Sequence, residues 1–584
     1  MEDIFQGRLE YLYNLYPVWE RMTISQRLES TVSKYPERTY IYTSQQSYTY
    51  QETDKCMNHL AQGLVKLGIK RRDHVACLLP NSPEFIFSKF AVSKVGCVNV
   101  PLNFKAGTEE LEYLLKQSDS KYLIMMDNFA GINYIDMLNE IDPDLLSKGK
   151  SAKLPMLCQV IIVSPNNRQY ENTIDFCNLI EQGKTVGNQI KEMIQNIPHY
   201  PEEVSDILYT SGSTGKPKGA MLTHDTLLRS SFATCLSRAY EDGRRIYFPL
   251  PLHHSFSYVE GLLAALFVGG MVIPQAVFKP QETLILIEQS KATDMLIVPT
   301  IALALLNHPT IKDFDLTSLK SIMCASAPAP ITLWKRLQEE LYINELCTAY
   351  GMTEVSAASM HTAPGDSLEI ITTTVGRIMP GGSSGLPEYG WRNTQYKVID
   401  PFTGEDLPPG SEGELVCRGN ILTIGYYKKP METSGVIDKD GWLKTGDLGR
   451  IREDGYFELT GRSKELYIIG GENVAPKEVE IILSRHPKIN QAYVVGVPDE
   501  KMGEVGMAFI TIIDTERASE KEIREYCKEK LAKFKIPKYI KFISADEYPL
   551  TTTGKVQKFK LVEQAIEELK LQDVREKMTS NKRM

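Results

Sequence analysis

Apolar and polar positions between residues 24 and 103 follow two alternating periods. Apolar residues recur at helical spacing in Ile24–Tyr35 and Glu52–Gly68, and the second stretch ends on a glycine, as helices often do. Strands are predicted at His74–Leu79 and Cys97–Pro101. Helices and strands in alternation predict a parallel, doubly wound sheet.

The same alternation returns after residue 223 and predicts a second doubly wound unit. Its predicted strands are Arg245–Pro251, Met295–Val298, Ser321–Cys324 and Glu345–Ala349, with helices between most of them. Sheets of this kind bind ligands at the turns that follow strand ends, so we expect functional residues there. Residues 127–200 show no clear period, and we expect only peripheral helices and loops in them.

The pattern changes twice more toward the C-terminus. From Tyr396, strand-like segments separated by turns predict a β-rich subdomain, and past Gly461 a compact α/β segment follows. The predicted fold is therefore α/β: a large N-terminal domain (1–460) of doubly wound sheets plus the β-rich subdomain, and a small C-terminal α+β domain (461–584). The length of 584 residues agrees with two or more domains, since single cores rarely grow past about 250–300 residues.

Composition and charge exclude one class of partner. Hydrophobic residues make up 42% of the chain and charged residues 24%, which is ordinary for a soluble globular protein. The formal net charge of −8 gives no basic footprint of the kind that nucleic-acid binding requires. We expect no nucleic-acid partner, and any polyanionic ligand must be met by local lysines and backbone amides.

Cysteine usage and the longest apolar run bear on location. The ten cysteines form no C-x-x-C pair and no metal-ligand spacing, which predicts reduced thiols in a cytoplasmic protein. The N-terminus carries no signal-peptide pattern. Gly261–Phe278 is long enough to span a membrane, but Gly269, Gly270 and Pro274 interrupt it and favour a buried helix that leads into a core strand. A weak peripheral membrane contact stays open, as does the choice between monomer and homodimer.

A glycine-rich stretch at Tyr209–Gly219, YTSGSTGKPKG, is the first candidate for chemistry. Its small residues let backbone N–H groups approach an anion while hydroxyls and ammonium groups meet the charge, so polyphosphate is the expected ligand. A Walker loop would need a glycine at Thr210 and a hydroxyl residue at Pro217. A flexible surface linker is the alternative. The candidate phosphate ligands are Thr210, Ser211, Gly212, Ser213, Thr214, Gly215, Lys216 and Lys218.

This stretch resembles the phosphate loop of the adenylate-forming superfamily, which includes acyl-CoA synthetases, luciferases and the adenylation domains of peptide synthetases. The resemblance recurs in the family's order at five further places down to Lys555 and spans nearly the whole chain. It implies an acyl-CoA synthetase that uses ATP, Mg²⁺ and coenzyme A. A carboxylate would attack the α-phosphorus of ATP and expel pyrophosphate, and a thiol would then attack the acyl adenylate.

Two motifs resemble the family's adenine site, although each alone could be an ordinary turn. YGMTE, which ends at Glu354, matches Y-G-x-T-E and implies that Tyr350 stacks on adenine, that Thr353 lies near the α-phosphate, and that Glu354 holds magnesium with Thr214. ASAP, which begins at Ala325, stands where the family has G-G-A-P. The nucleotide-binding residues implied here are Ser326, Ala327, Pro328, Tyr350, Gly351, Met352 and Thr353.

A histidine pair follows the strand at Arg245–Pro251. PLHH, which ends at His254, resembles the family's P-L-x-H, and the resemblance implies that His254 orients the carboxylate beside the α-phosphate. His253 replaces a usual aromatic residue, so the sequence leaves open which imidazole faces the site. Two interior histidines satisfied by hydrogen bonds are the alternative.

Three further motifs lie toward the C-terminus. WLKTGD, which ends at Asp447, resembles the ribose clamp, with Arg462 as a second contact; an Asx turn is the alternative. GRSK places Lys464 at the family's hinge, and Gly470 and Gly471 resemble a loop that closes over pantetheine. PLTTTGK ends at Lys555, which the resemblance makes the catalytic cation, carried on a mobile C-terminal domain that rotates about Lys464. A solvated surface lysine is the alternative.

The acid is predicted to be hydrophobic. Amino-acid-activating members of the family have an Asp just after the histidines, and Ser255–Glu260 contains none. The candidate pocket residues are apolar or aromatic, which favours a fatty acid over an aromatic acid. Coenzyme A is the favoured acceptor, with a carrier-protein ligase and a catalytically silent nucleotide-binding protein as rivals. The candidate substrate residues are Tyr258, Val259, Leu262, Ile301 and Ala302.

Overall fold

The computed structural model describes the chain in five ranges and divides it into two compact units. The described residues are 2–210, 216–470, 472–513, 516–550 and 556–581. Unit 1 comprises residues 1–372, 376–395 and 418–441, and unit 2 comprises residues 373–375, 396–417 and 442–584. Most of the β-rich stretch therefore groups with the C-terminal segment. The predicted domain boundary between residues 460 and 461 stays a prediction.

The first sheet of unit 1 has seven strands and is parallel except for the hairpin at one edge. In spatial order they are Lys218–Thr223, Val204–Thr210, Val98–Pro101, His74–Leu78, Tyr122–Met126, Gln159–Val163 and Thr173–Asp175. The last two correct the prediction of only helices and loops in residues 127–200. They are five and three residues long, too short to give a measurable period in the sequence.

The second sheet of unit 1 also has seven strands, and it is again parallel except for an edge hairpin. In spatial order they are Glu345–Cys347, Ser321–Cys324, Asp294–Ile297, Arg245–Phe248, Met271–Pro274, Thr39–Tyr42 and Ser47–Thr49. The predicted doubly wound architecture is confirmed. The carboxyl ends of its parallel strands lead into the histidine pair and the adenine motifs.

Helices cover these sheets, and several begin where a threonine caps them. Thr49 Oγ1 accepts from the N–H of Glu52 at 3.1 Å, and Glu52 accepts from the N–H of Thr49 at 2.8 Å, so two otherwise unpaired donors are satisfied. The α-helices of eight or more residues up to residue 340 are Glu2–Leu15, Ile24–Lys34, Tyr50–Lys66, Pro83–Lys94, Thr108–Gln117, Tyr134–Ile141, Phe176–Lys184, Asn188–Gln195, His224–Ser237, Pro280–Ser290, Pro299–Leu306 and Ile331–Glu340.

The long apolar run at Gly261–Phe278 does not form one helix. It begins inside the π-helix Tyr258–Leu263 and continues into the strand Met271–Pro274, because glycines break it as expected. Among the described residues, no helix has both the length and the hydropathy that a membrane span requires.

Unit 2 contains an antiparallel sheet and a mixed sheet covered by helices. The four strands of the first are Thr394–Ile399, Gly413–Gly419, Leu443–Ile451 and Phe457–Arg462. The five strands of the second are Glu472–Val474, Tyr467–Ile469, Gly503–Ile512, Ile489–Asp499 and Tyr539–Phe542. The α-helices are Pro476–Ser484, Glu520–Lys528, Lys558–Glu568 and Gln572–Asn581.

Candidate active site

The two ends of the glycine-rich stretch belong to paired strands. Val204–Thr210 pairs antiparallel with Lys218–Thr223, and Thr210 stands opposite Lys218. A Cβ atom on Gly219 would lie 2.4 Å from Ile207 Cγ2, so only glycine fits this register. The predicted centre of the phosphate loop lies outside the described residues: Ser211, Gly212, Ser213, Thr214 and Gly215.

Tyrosine side chains fix both strand ends that flank the glycine-rich stretch. The Tyr113 hydroxyl donates to the carbonyl of Pro217 at 2.9 Å, and the Lys216 ammonium lies 5.0 Å from the centre of the Tyr113 ring. The Tyr209 hydroxyl donates to Gln117 Oε1. These contacts fix the strand ends from which a phosphate-binding loop must reach its ligand.

The adenine motif forms a strand of its own. The predicted strand Glu345–Ala349 ends at Cys347, and Ala349–Met352 then pairs with Ala357–His361 in a small antiparallel sheet. The chain changes sheets at Thr348, whose N–H donates to Thr362 Oγ1 at 2.8 Å. A Cβ on Gly351 would lie 1.8 Å from the carbonyl oxygen of Ala357. The close approach of the two strands at this position therefore requires a glycine, whereas larger residues fit at Tyr350 and Met352 on either side.

Glu354 is a buried carboxylate with a fixed position. It lies on the 3-10 turn Thr353–Val355, and the Tyr426 hydroxyl donates to its Oε1 at 2.6 Å. Burial, together with the adjacent Glu354 charge, raises the pKa of Tyr426 well above its usual value, so the phenol stays a donor. The N–H of Thr423 donates to the Glu354 carbonyl at 2.7 Å.

The donor set around Glu354 fits magnesium. Magnesium takes oxygen ligands and is usually held by one or two carboxylates together with substrate phosphates. Among the described residues no group of three or more His, Cys, Asp or Glu side chains could hold a metal alone. One buried carboxylate, held on the segment that also binds the strands flanking the predicted phosphate loop, is the kind of ligand that a nucleotide-bound magnesium would use.

The segment around Tyr426 joins Glu354 to the hairpin. The N–H of Met221 donates to Gly425 O at 2.9 Å, the N–H of Tyr427 donates to Gly219 O at 2.8 Å, and Lys218 Nζ lies 5.1 Å from the Tyr426 ring. The structure thus brings the feet of the predicted phosphate loop and the predicted metal ligand to one segment. Thr423 and Tyr426 were not among the residues predicted from the sequence, because their contacts with Glu354 depend on tertiary folding.

The ASAP motif follows the strand Ser321–Cys324 at its carboxyl end, as predicted. Ala325 is buried, while Ser326 and Pro328 are exposed and Ala327 is half-buried. Ser326 has φ +71°, in the left-handed region where glycine is unstrained. Ser326 therefore adopts a strained backbone conformation at a position where the family's glycine would be unstrained.

The two histidines have different surroundings. The strand that leads to them was predicted to end at Pro251 but ends at Phe248. The next residue, Pro249, has no N–H to donate to the neighbouring strand. His254 Nδ1 accepts from the N–H of Phe256 at 3.3 Å, which leaves the proton of a neutral imidazole on Nε2. His253 packs edge-on against Phe104, 5.7 Å between ring centres. Burial, and next the neighbouring His254, lowers the pKa of His253 to about 3.

The predicted substrate residues lie on two helices. Tyr258, Val259 and Leu262 are buried on the π-helix, a geometry frequent at functional sites. Ile301 and Ala302 lie on Pro299–Leu306, in a separate apolar cluster of the same unit. The structure therefore does not gather the five into one cluster, and their role stays a prediction.

The hydroxyl of one of these residues, Tyr258, is already hydrogen-bonded within the protein. The Tyr258 hydroxyl donates to Asp206 Oδ2 at 3.2 Å, and the same oxygen accepts from the buried Lys89 ammonium at 2.6 Å. Asp206 lies on the hairpin strand that leads to the glycine-rich stretch. Tyr258 thus contributes its ring, and not its hydroxyl, to any pocket.

Unit 2 holds the predicted ribose clamp. Asp447 and Arg462 are directly opposite each other on neighbouring strands, and Arg462 Nε donates to Asp447 Oδ1 at 2.7 Å. Asp447 lies inside the strand Leu443–Ile451 and not on a turn as the sequence suggested. The residue before it, Gly446, has φ +73°, and its N–H donates to Glu414 Oε1 at 3.1 Å. Burial raises the pKa of Glu414. Asp447 is thus an oriented carboxylate, as a ribose clamp requires.

Lys464, Gly470 and Gly471 follow this clamp in the chain, and Lys555 lies near the C-terminus. Lys464 is exposed on the 3-10 turn Ser463–Glu465. Gly470 has φ +61°, and its N–H donates to Met502 O at 2.8 Å. Gly471 and Lys555 lie outside the described residues.

Two family models together match most of the chain, and the predicted ribose clamp and hinge lie in the stretch between the two matches. The AMP-binding enzyme family matches residues 28–427, and the AMP-binding enzyme C-terminal domain matches residues 478–555. The chain belongs to the AMP-binding enzyme family. The resemblance stated from the sequence motifs is thereby confirmed, and the chain is an adenylate-forming enzyme of the acyl-CoA synthetase type.

Relatives of this AMP-binding enzyme match over nearly their whole length. "Putative acyl-CoA synthetase YngI" of Bacillus subtilis is 37% identical over 554 residues, 93% of this chain and 97% of that protein. The mitochondrial medium-chain acyl-CoA ligase ACSF2 of Danio rerio is 34% identical, covering 94% and 89%. ATP-bound MatB of Rhodopseudomonas palustris superposes with a TM-score of 0.77 at 26% identity, covering 93% and 99%.

Proposed function

We propose that this enzyme activates a fatty acid of medium chain length as acyl-AMP, releases pyrophosphate and transfers the acyl group to coenzyme A. The observation that carries the proposal is the buried Glu354, held by Tyr426 on the segment that also binds the hairpin of the glycine-rich stretch. The medium-chain ligase among the relatives supports the chain length, and the buried apolar side chains of Val259 and Leu262 on the π-helix support a hydrocarbon tail.

Both reactants of the first step are anions, so rate must come from neutralised charge and fixed geometry. Magnesium held by Glu354 and Thr214 would supply positive charge at the phosphates. The backbone amides of Ser211–Gly215 would bind the phosphate oxygens. His254, with its proton on Nε2, would donate to the substrate carboxylate and aim it at the α-phosphorus.

The remaining predicted residues would bind the ribose, assist adenylation and allow coenzyme A to enter. Asp447 would accept from the ribose hydroxyls, with Arg462 keeping its carboxylate in place. Lys555 would bridge the carboxylate and the α-phosphate, where charge develops in the transition state. Coenzyme A needs that space in the second step, so Lys555 must leave, and rotation about Lys464 would provide the exchange.

The experiment that tests this proposal separates the two half-reactions. Lys555→Ala should abolish fatty-acid-dependent exchange of pyrophosphate into ATP, because the cation that bridges the two anions is lost. It should spare the attack of coenzyme A on supplied acyl adenylate, since that step does not use Lys555. An equal loss of both half-reactions would refute the two-step role.

A further inference from the structure

Lys558 is a mostly buried charge that the proposed mechanism leaves unused. It is the first residue of the helix Lys558–Glu568 in unit 2. Its ammonium lies 2.7 Å from Glu465 Oε2 and 2.7 Å from Glu480 Oε1. Glu480 is itself buried, and its Oε1 also accepts from the N–H of Val494 at 2.9 Å.

The Lys558 ammonium keeps its charge despite burial. Burial alone would lower the pKa of Lys558, but Glu480 and Glu465 outweigh that effect and raise it. A buried ion pair is weak evidence for added stability, because desolvation offsets much of the attraction. Its better-attested use is to specify one arrangement of the elements it joins. The elements joined here are the turn Ser463–Glu465, the helix Pro476–Ser484 and the start of Lys558–Glu568.

The cluster lies at the base of the segment that carries Lys555. Leu550 and Val556, on either side of that segment, pair as an antiparallel bridge, and the N–H of Gln557 donates to Pro549 O at 2.7 Å. On the N-terminal side, the Tyr548 hydroxyl donates to Phe509 O at 3.1 Å. On the C-terminal side, Lys558 follows Gln557 directly and anchors the chain through its two ion pairs.

The same cluster reaches the predicted hinge. Glu465 follows Lys464 directly in the chain, so one ammonium joins the residue after the hinge to the base of residues 551–555. If the chain rotates at Lys464, this charged contact would couple the rotation to that base, in addition to the coupling along the intervening chain. A misplacement of about 1 Å can cost about 100-fold in rate, so such a contact matters for a catalytic lysine.

We propose that Lys558 is a positioning residue, whose ion pairs with Glu465 and Glu480 hold the base of residues 551–555 so that Lys555 reaches the reacting groups during adenylation. The inference rests on the proposed function, in which Lys555 is the catalytic cation. It assigns Lys558 to the first half-reaction and gives it no part in the attack of coenzyme A.

A matched control is Lys541, which lies on the strand Tyr539–Phe542 and pairs with the same helix. Lys541 pairs with Glu568 at the far end of Lys558–Glu568, and both side chains of that pair are partly exposed. The helix is held there by its buried apolar residues Leu561, Ala565 and Ile566. Lys541→Gln therefore removes a lysine–glutamate pair from the same helix without touching the base of residues 551–555.

The test compares Lys558→Gln, Lys558→Arg and Lys541→Gln in both half-reactions, with thermal unfolding measured for each. Lys558→Gln should lower kcat for fatty-acid-dependent ATP–pyrophosphate exchange at least about tenfold, with KM for ATP and the attack of coenzyme A on supplied acyl adenylate within about twofold. Lys558→Arg should recover most of the exchange. Lys541→Gln should match the unmodified enzyme.

Any other outcome contradicts either the positioning role of Lys558 or the proposed function. If Lys558→Gln behaves as Lys541→Gln does, or if it lowers both half-reactions equally, Lys558 is structural and the inference is wrong. Should Lys558→Gln fail to fold, Glu465→Gln keeps the buried Glu480 pair and must still lower exchange more than coenzyme A attack; equal effects would contradict the inference. If the unmodified enzyme shows no exchange with any acid, the proposed function fails, and this inference fails with it.

Discussion

At the residue scale, the candidate site depends on partners that lie far away in the sequence. Tyr426 holds Glu354 across 72 positions, and Arg462 holds Asp447 across 15. Motif reading found Glu354, Asp447 and Arg462 because each lies in a recognisable short pattern. It could not find Tyr426, since a hydrogen-bond donor brought in by tertiary folding leaves no local pattern.

The Tyr426–Glu354 hydrogen bond gives a direct prediction. Tyr426→Phe should raise the Mg²⁺ concentration needed for half-maximal ATP–pyrophosphate exchange about tenfold, because hydrogen bonds to charged groups contribute about 1.5–3 kcal/mol. A magnesium titration of the exchange rate measures it. Tyr427→Phe is the matched control: its hydroxyl donates to Asp119 at 2.8 Å, and its removal should leave the magnesium requirement unchanged. Equal shifts in both variants would contradict the assignment of Glu354.

The lowered pKa of His253 predicts a pH effect on stability. An unfolded histidine binds a proton as pH falls through about 6.5, whereas His253 in the folded chain does so only near 3. The unfolded state therefore binds more protons between these values, and acidification within that window favours unfolding. From pH 6.5 to 5 this single group should cost about 2 kcal/mol of stability.

His253→Phe removes the titrating group and keeps an aromatic ring beside Phe104. The fall in the midpoint of thermal unfolding between pH 7 and pH 5 should be smaller in this variant than in the unmodified enzyme. Identical falls in the two proteins would show that His253 is not held neutral by burial.

At the scale of elements, the regular parts of the fold could be predicted and the sheet changes could not. The helix Tyr50–Lys66, predicted as Glu52–Gly68, was found because an apolar stripe and a terminal glycine agree. The strand at Glu345 was placed, but its end at Cys347 and the new strand Ala349–Met352 were not, because the switch depends on a hydrogen bond from Thr348 to Thr362. Gln159–Val163 was missed because it is short and follows an irregular stretch.

Gly351 tests the strand that carries the adenine motif. Gly351→Ala would put a Cβ 1.8 Å from Ala357 O, so the strand must shift, at a cost of about 1–3 kcal/mol. We expect a lower thermal unfolding midpoint and a KM for ATP raised about tenfold, since Tyr350 would move with the strand. Gly187→Ala is the control, because a Cβ there meets nothing within 4 Å, and it should change neither quantity. An unchanged KM for ATP in Gly351→Ala would separate this strand from nucleotide binding.

At the scale of the whole molecule, the predicted residues divide between the two units. The strands that flank the glycine-rich stretch, the predicted magnesium ligand Glu354 and the histidines belong to unit 1, whereas the predicted ribose clamp, the predicted hinge and Lys555 belong to unit 2. The doubly wound sheets of unit 1 were predictable from alternating periods. The grouping of residues 396–417 with the C-terminal segment was not, because it depends on pairing between strands far apart in the sequence.

The central claim is that a fatty acid and ATP react in this enzyme to give acyl-AMP and pyrophosphate. The most direct measurement is ATP–pyrophosphate exchange with magnesium and a panel of carboxylic acids, first without coenzyme A and then with thioester formation after its addition. The account predicts exchange that is strongest with medium-chain fatty acids and that needs no coenzyme A. If no organic acid supports exchange, the account is wrong.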